Sequence, residues 1–150
     1  MTVGRVRSHR VGMTRSIARR ALPFFAGAFV ACVIIQVFLA GLGVFDTPAA
    51  FITHREFGYA FGWLTLVVLV CALLGRTPRS LVGLATLLLV LFALQSVFVV
   101  LRPDYPAVAA LHPLNGFLIL GVAVVITRRA WAFARVESPA TTVTTLVADA

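Results

Sequence analysis

The chain has 150 residues, of which 61% are hydrophobic and 12% are charged, and its mean hydropathy is +1.02. Soluble domains are about half apolar and about a quarter charged, so this composition excludes an ordinary soluble globular protein. All 13 basic residues are arginine, and with five acidic residues they give a net charge of +8. Nucleic-acid binding is disfavoured, because the arginine-rich N-terminal tail has no aromatic residues to stack on bases.

Four apolar segments in the middle of the chain are each long enough to cross a hydrocarbon core of about 30 Å as a helix. They lack the alternating pattern of a barrel strand, so we predict helices. The expected fold is all-α, an integral membrane four-helix bundle. The predicted helices are residues 21–45, 49–75, 81–101 and 107–127.

These helices lie in a predicted transmembrane domain, residues 21–131. A basic cytoplasmic tail, residues 1–20, comes before it, and a flexible cytoplasmic tail, residues 132–150, follows it. A cleavable signal peptide is the alternative interpretation of the first apolar segment. Its length argues against cleavage, and so does Gln36, which has a counterpart in the third segment, Gln95.

The arginines are concentrated in three of the five segments outside the predicted helices, and the positive-inside rule assigns such segments to the cytoplasm. We therefore expect a multi-pass protein of the cell membrane with both termini cytoplasmic. The same arginines can bind anionic lipids. The arginines of these three segments are Arg5, Arg7, Arg10, Arg15, Arg19 and Arg20, then Arg76 and Arg79, then Arg128, Arg129 and Arg135.

An internal repeat relates the two halves of the chain. The stretch DTPAAFITHREFG begins at Asp46 and DYPAVAALHPLNG begins at Asp104, and five residue types recur at the same spacing. The pattern predicts two tandem helical hairpins related by a pseudo-two-fold axis along the membrane normal. It also places two histidines, His54 and His112, at matched depth near the outer face.

Each histidine is followed four residues later by a glycine. On the second helix His54, Gly58 and Gly62 share one face, and Gly116 follows His112 in the same way. Glycine in a membrane helix allows another helix to come close. Below a histidine it would also leave room for a flat macrocycle.

Two hypotheses account for the histidine pair. Both side chains could hydrogen-bond to a neighbouring helix, for example to Gln36 or Gln95, which is the usual role of a lone polar residue in a membrane. Alternatively, two imidazoles that face each other could ligate a metal, and haem b fits better than a bare ion, which usually recruits three or four side chains. Arg55 and Arg102, near the outer interface, are then candidate partners of the propionates, with snorkelling to headgroups as the alternative.

Two stretches, FITHREFGYAFGWLTLVVLVCALLGR and ALHPLNGFLILGVAVVITRRAW, resemble a family of small four-span bacterial membrane proteins of unknown function. More distantly, the His54 and Arg55 pair and His112 resemble one four-helix half of haem A synthase. That resemblance implies haem ligation by the two histidines. Phe51 stands where the substrate-handling half of the synthase has an acidic residue, so haem hydroxylation does not follow.

The sequence thus predicts a membrane protein that binds haem b through His54 and His112 and serves electron transfer or haem handling. Its partners would be the lipid bilayer and a redox partner or quinone, and a homo-oligomer or larger membrane complex is left open. Gln36 and Gln95 would orient the histidines or bridge helices. The alternatives are a cofactor-free structural subunit or small transporter, and a proton-linked or metal-ion permease.

Overall fold

A computed structural model describes residues 3–136, with side chains described from residue 12 onward. All regular structure in this part of the chain is helical. Four helices are long and apolar enough to cross a membrane, which confirms the predicted all-α multi-pass architecture. The helices are α1 (Val3–Phe45), α2 (Ala50–Leu74), α3 (Arg79–Val100), α4 (Pro106–Ala109) and α5 (Leu111–Val136).

The main departure from the predicted boundaries is at the ends of the bundle. Helix α1 begins at Val3, so part of the predicted basic tail is a continuation of the first spanning helix. Arginine has a high helix propensity, and the tail has no proline to interrupt the helix before Pro23. Helix α5 similarly continues to Val136, and the predicted flexible tail from residue 137 onward lies outside the described residues.

Each spanning helix packs against two neighbours, so the four form a ring in the order α1, α2, α3, α5. Helices α2 and α5 are therefore diagonally opposite, and so are α1 and α3. The core between them is made of fully buried side chains from all four helices, among them Phe29, Val68, Leu88 and Ile126. The two histidine-bearing helices face each other across this core.

The outer surface of the ring is apolar. Phe24, Phe38, Trp63 and Phe117 are each more than 60% exposed in the isolated chain. Water would solvate such a surface poorly, whereas lipid acyl chains solvate it well. The exposed apolar faces thus fit the four spanning helices to a bilayer.

The turn before the fourth span differs from the turn before the second. Residues 47–49 lead directly into α2 through turn hydrogen bonds, such as the one from Ala50 N to Thr47 O at 3.0 Å. The second turn instead forms α4, and α5 then starts at Leu111, beside His112. Pro113 explains the break, because it has no N–H to donate to the carbonyl of Ala109 and its ring would crowd that carbonyl.

Candidate histidine site

The two membrane histidines meet at one end of the bundle. His54 lies in the second turn of α2 and His112 is the second residue of α5, so both are close to the start of diagonally opposite helices. Their ring centres are 6.2 Å apart, and the ring planes are inclined at 62°. Both side chains are half-buried. The structure therefore brings together the two residues that the sequence singled out.

Each imidazole is held by a backbone carbonyl of a neighbouring helix. His54 Nδ1 lies 3.0 Å from Gln36 O on α1, and His112 Nδ1 lies 3.3 Å from Gln95 O on α3. A carbonyl oxygen only accepts hydrogen bonds, so Nδ1 must be the donor in both rings. In the neutral imidazole this tautomer leaves the lone pair on Nε2. The two nitrogens with acceptor or ligand capacity are thus Nε2 of His54 and Nε2 of His112.

The glutamine side chains lie beside the glycines that follow the histidines. A Cβ built on Gly58 would come within 2.6 Å of Gln36 Nε2, and one on Gly116 would be 3.6 Å from Gln95 Nε2. The openings that the glycines create are therefore next to the amide groups of the two glutamines. Gly62 is different, since its open side faces Phe92, whose Cε1 would be 2.7 Å from an added Cβ.

The two glutamines differ in their hydrogen bonding. Asn115 is buried on α5 and its Nδ2 donates to Gln95 Oε1 at 2.7 Å and to Leu91 O at 2.8 Å. The oxygen of Gln36 is buried and has no hydrogen-bond partner among the described residues. In the repeat, the position of Asn115 corresponds to Phe57 on α2, which has no donor. The site consequently has one glutamine whose side-chain oxygen accepts a hydrogen bond, Gln95, and one whose oxygen does not, Gln36.

Asn115 is the residue of this site that the sequence analysis missed. A single asparagine in an apolar run resembles isolated polar glue between helices. Its spacing could have identified it, because Asn115 follows His112 by three residues and therefore shares its helix face.

The two arginines predicted near the site are at its periphery. Arg55 is exposed and forms an ion pair with its neighbour Glu56, with Nη2 2.8 Å from Oε1. Arg102 is exposed in the turn that follows α3. Their assignment to a cofactor stays a prediction.

A cluster of phenylalanines lies on the membrane side of the histidine pair. The rings of Phe29, Phe61 and Phe92, from three different helices, have centres 5.3 to 5.8 Å apart. Phe57, three residues after His54, packs against this group, with its ring centre 5.3 Å from that of Phe61 and the ring planes tilted by 42°. By their positions in the sequence, Phe29, Phe61 and Phe92 lie about one to two helical turns from Gln36, His54 and Gln95, toward the middle of the bundle.

Comparisons with known proteins identify one relationship. No curated protein matches the chain, and no solved structure matches it. The resemblance to haem A synthase stays a prediction, while the resemblance to an uncharacterised family is confirmed. Residues 36–101, which run from Gln36 on α1 through the end of α3 and include His54, match the family described as "Family of unknown function (DUF6220)".

Proposed function

We propose that the chain is an integral membrane haem b-binding protein in which His54 and His112 would hold the haem, and that it serves electron transfer or haem handling. The observation that carries this proposal is the 6.2 Å separation of the two ring centres. A metal held by both Nε2 atoms, at about 2 Å from each, would require the two rings to be about this close together. His54 and His112 could therefore hold one haem iron together.

The hydrogen bonds of the imidazoles support the same role. Histidines that ligate metals almost always donate their other ring N–H to a carbonyl, a carboxylate or water, which fixes the tautomer and the ring orientation. Gln36 O and Gln95 O accept such bonds from His54 and His112. Both rings are thus restrained with Nε2 as the available ligand before any metal is bound.

The number of side-chain ligands favours haem over a bare ion. In the described part of the chain no group of three or more His, Cys, Asp or Glu side chains is suitably placed to hold a metal. A zinc site of two histidines would lack one or two protein ligands, whereas the porphyrin itself supplies four nitrogens. Two histidines are then sufficient.

The space beside Gly58, one helical turn from His54, is occupied by the amide of Gln36. This amide lies beside Gly58, where a Cβ would come within 2.6 Å of it, and it is the end of a flexible side chain. The oxygen of Gln36 has no partner to lose on rotation. Gln95, in contrast, is held by Asn115. We therefore expect the space for the cofactor to open on the side of Gln36.

In this proposal the protein's residues restrain the two imidazoles and shield the site from water, and haem would supply one-electron exchange at its iron. The carbonyls of α1 and α3 keep both imidazoles in the ligating tautomer. The phenylalanine cluster would give the site an apolar boundary toward the middle of the bundle. Arg55 and Arg102, at the same end of the bundle, are the cations available for propionates, and a membrane-soluble quinone or another redox protein would exchange the electron.

An optical spectrum tests the proposal directly. The full chain, expressed with a haem supply and purified in mild detergent, should have a Soret band and about one haem per chain by chemical extraction. His54→Ala and His112→Ala should each lose the low-spin bis-histidine spectrum, while His9→Ala, which alters the remaining histidine, should keep it. A colourless preparation that retains its helix content, or a Soret band that survives in both single variants, would contradict the proposal.

A second candidate is a cofactor-free membrane protein, either a structural subunit or a small transporter, whose histidines only join helices. The same hydrogen bonds to Gln36 O and Gln95 O favour it, because they already give each imidazole an interhelical partner. On this alternative the histidine variants should lower stability by about 1 kcal/mol each and change no spectrum. Metal analysis of the colourless protein would separate a metal-ion permease from a structural subunit.

A further inference from the structure

One end of the bundle carries a concentration of positive charge that no described carboxylate neutralises. The three described acidic residues, Asp46, Glu56 and Asp104, all lie at the histidine end. We call the opposite end the arginine end. Its described arginines come from the first described turns of α1, the turn between α2 and α3, and the end of α5, and are Arg15, Arg19, Arg20, Arg76, Arg79, Arg128, Arg129 and Arg135.

Arg19 joins the three elements of the arginine end. Its Nε donates to Gly75 O, at the end of α2, over 2.6 Å, and its guanidinium lies 5.2 Å from the ring centre of Phe133 on α5. Gly75 is buried against α1, since an added Cβ would be 3.1 Å from Arg19 Cγ. These contacts fix the position of the α2–α3 turn relative to α1 and α5.

Two further arginines lie next to this contact. Arg15 is one helical turn before Arg19, and its Nε is buried without a hydrogen-bond partner among the described residues. Arg76 follows Gly75 directly and is exposed, with its backbone in the left-handed region at φ 48°. A buried guanidinium nitrogen without an acceptor is costly. The two elements that the Arg19 to Gly75 bond joins therefore bring a donor without an acceptor, on Arg15, and an exposed cation, Arg76.

The position of these arginines in the membrane selects the acceptor. They lie at the ends of spanning helices, where phospholipid headgroups are located, and guanidinium groups bind phosphate oxygens in a bidentate geometry. Phe24 and Trp131 form an edge-to-face pair at 5.0 Å close to this level, and tryptophan is enriched at membrane interfaces. An anionic lipid offers both a phosphate for the arginines and an acyl region for the aromatic pair.

We propose that the arginine end binds anionic phospholipid selectively, with the headgroup phosphate accepted between Arg15 and Arg76, beside the Arg19 to Gly75 contact. Zwitterionic lipids are bound less well, because their cationic headgroups meet the uncompensated arginines. This site is separate from the histidine pair, which lies at the other end of the bundle. It consequently does not depend on the haem proposal.

The test is thermal unfolding of the purified full chain in nonionic detergent, with phosphatidylglycerol or phosphatidylcholine added at equal concentration. The unfolding temperature should rise by several degrees with phosphatidylglycerol and much less with phosphatidylcholine. Arg15→Gln and Arg76→Gly should each lose at least half of that difference. Arg76→Gly is the more informative variant, because glycine favours the left-handed conformation and the turn itself should not be weakened.

Arg102→Gln, which removes an exposed arginine at the histidine end, is the matched control and should respond like the parent chain. The proposal is overturned if the parent responds equally to the two lipids, or if Arg102→Gln loses as much of the response as Arg76→Gly. Inorganic phosphate is tested in parallel. A rise with phosphate as large as that with phosphatidylglycerol would mean a site for soluble anions and would overturn the assignment to lipid.

Discussion

At the level of single residues, the repeat predicted that the two histidines lie at the same depth but could not predict their hydrogen-bond acceptors. The repeat indicated that His54 and His112 share a depth, and the structure has their rings 6.2 Å apart. It also indicated glutamines near both histidines, yet the imidazoles bond to the backbone carbonyls of Gln36 and Gln95 and not to their amides. Side-chain identity cannot predict a backbone acceptor, because every residue type offers the same carbonyl.

The asymmetry between the two glutamines predicts different costs for the same substitution. Gln95→Leu should lower the free energy of unfolding by about 1 kcal/mol, because Asn115 loses one of its two acceptors. Gln36→Leu should change it by no more than about 0.5 kcal/mol, since it removes a buried oxygen that has no partner. Backbone carbonyls are retained in both variants, so the histidine bonds are not altered.

Unfolding of both glutamine variants in mixed micelles of mild detergent and dodecyl sulfate, followed by circular dichroism, measures this difference. Asn115→Leu is the control for the pair and should cost at least as much as Gln95→Leu. Equal costs for Gln36→Leu and Gln95→Leu would show that the Asn115 to Gln95 bond contributes nothing to the stability of the bundle.

At the level of helices, the sequence predicted the number and type of elements well and their ends less well. Length and hydropathy determine four spanning helices, because only a helix of about 20 residues satisfies its backbone in lipid. The start of α1 at Val3 was not predicted, since hydropathy does not distinguish a polar helical turn from a polar coil. The break between α4 and α5 is explained by Pro113, because the effect of proline on the helix is local.

The glycines of the helices illustrate why sequence spacing could not determine the shape of the site. Gly58 and Gly62 share one face of α2, and their spacing from His54 predicted that both would leave room for a macrocycle. In the structure Gly58 faces the amide of Gln36, whereas Gly62 faces the ring of Phe92 from α3. Which side chain fills a glycine opening depends on the register of the neighbouring helix, and periodicity within α2 does not contain that register.

The close approach at Gly62 predicts a specific loss of packing between α2 and α3. Gly62→Ala should lower the free energy of unfolding by about 1 to 3 kcal/mol, because the added methyl group would lie 2.7 Å from Phe92 Cε1 and the ring must shift. Gly83→Ala is the matched control on α3, where an added Cβ has nothing within 4 Å. It should be neutral or stabilising, since alanine has the higher helix propensity.

Detergent unfolding followed by helix content gives both values for the two glycine variants. If Gly62→Ala were as stable as the parent chain while Gly83→Ala were also unchanged, the contact between Gly62 and Phe92 would not be a packing constraint. The order of helices in the ring, which puts α2 beside α3, would then need another source of specificity.

At the level of the whole molecule, charge and polar chemistry are separated along the bundle. The arginine end has all the described cations except Arg55 and Arg102, and the histidine end has all the described carboxylates. This separation follows from the sequence, because the arginines fall in alternate connections and alternate connections lie at the same end of an antiparallel bundle. The structure determines which helix ends lie at the same end of the bundle. The positive-inside rule adds the expectation that the arginine end is cytoplasmic.

The orientation of the bundle gives the last prediction. Single cysteines are introduced at Thr47→Cys and Tyr105→Cys in the two turns of the histidine end, and at Arg79→Cys at the arginine end. The native cysteines, Cys32 and Cys71, lie within spanning helices and are replaced by serine and alanine respectively. A membrane-impermeant maleimide applied to intact cells should label the first two variants and spare Arg79→Cys, because the arginine end is expected to face the cytoplasm.

Permeabilised cells provide the control for orientation, since all three cysteines should then be labelled. Labelling of Arg79→Cys alone in intact cells would invert the proposed orientation and would move the histidine site to the cytoplasmic side. Labelling of Thr47→Cys without Tyr105→Cys would contradict the bundle itself, because the two turns would then lie on opposite sides of the membrane. His54 and His112 could not meet in that arrangement, and neither the hydrogen-bonding nor the haem-ligating role of the pair would remain.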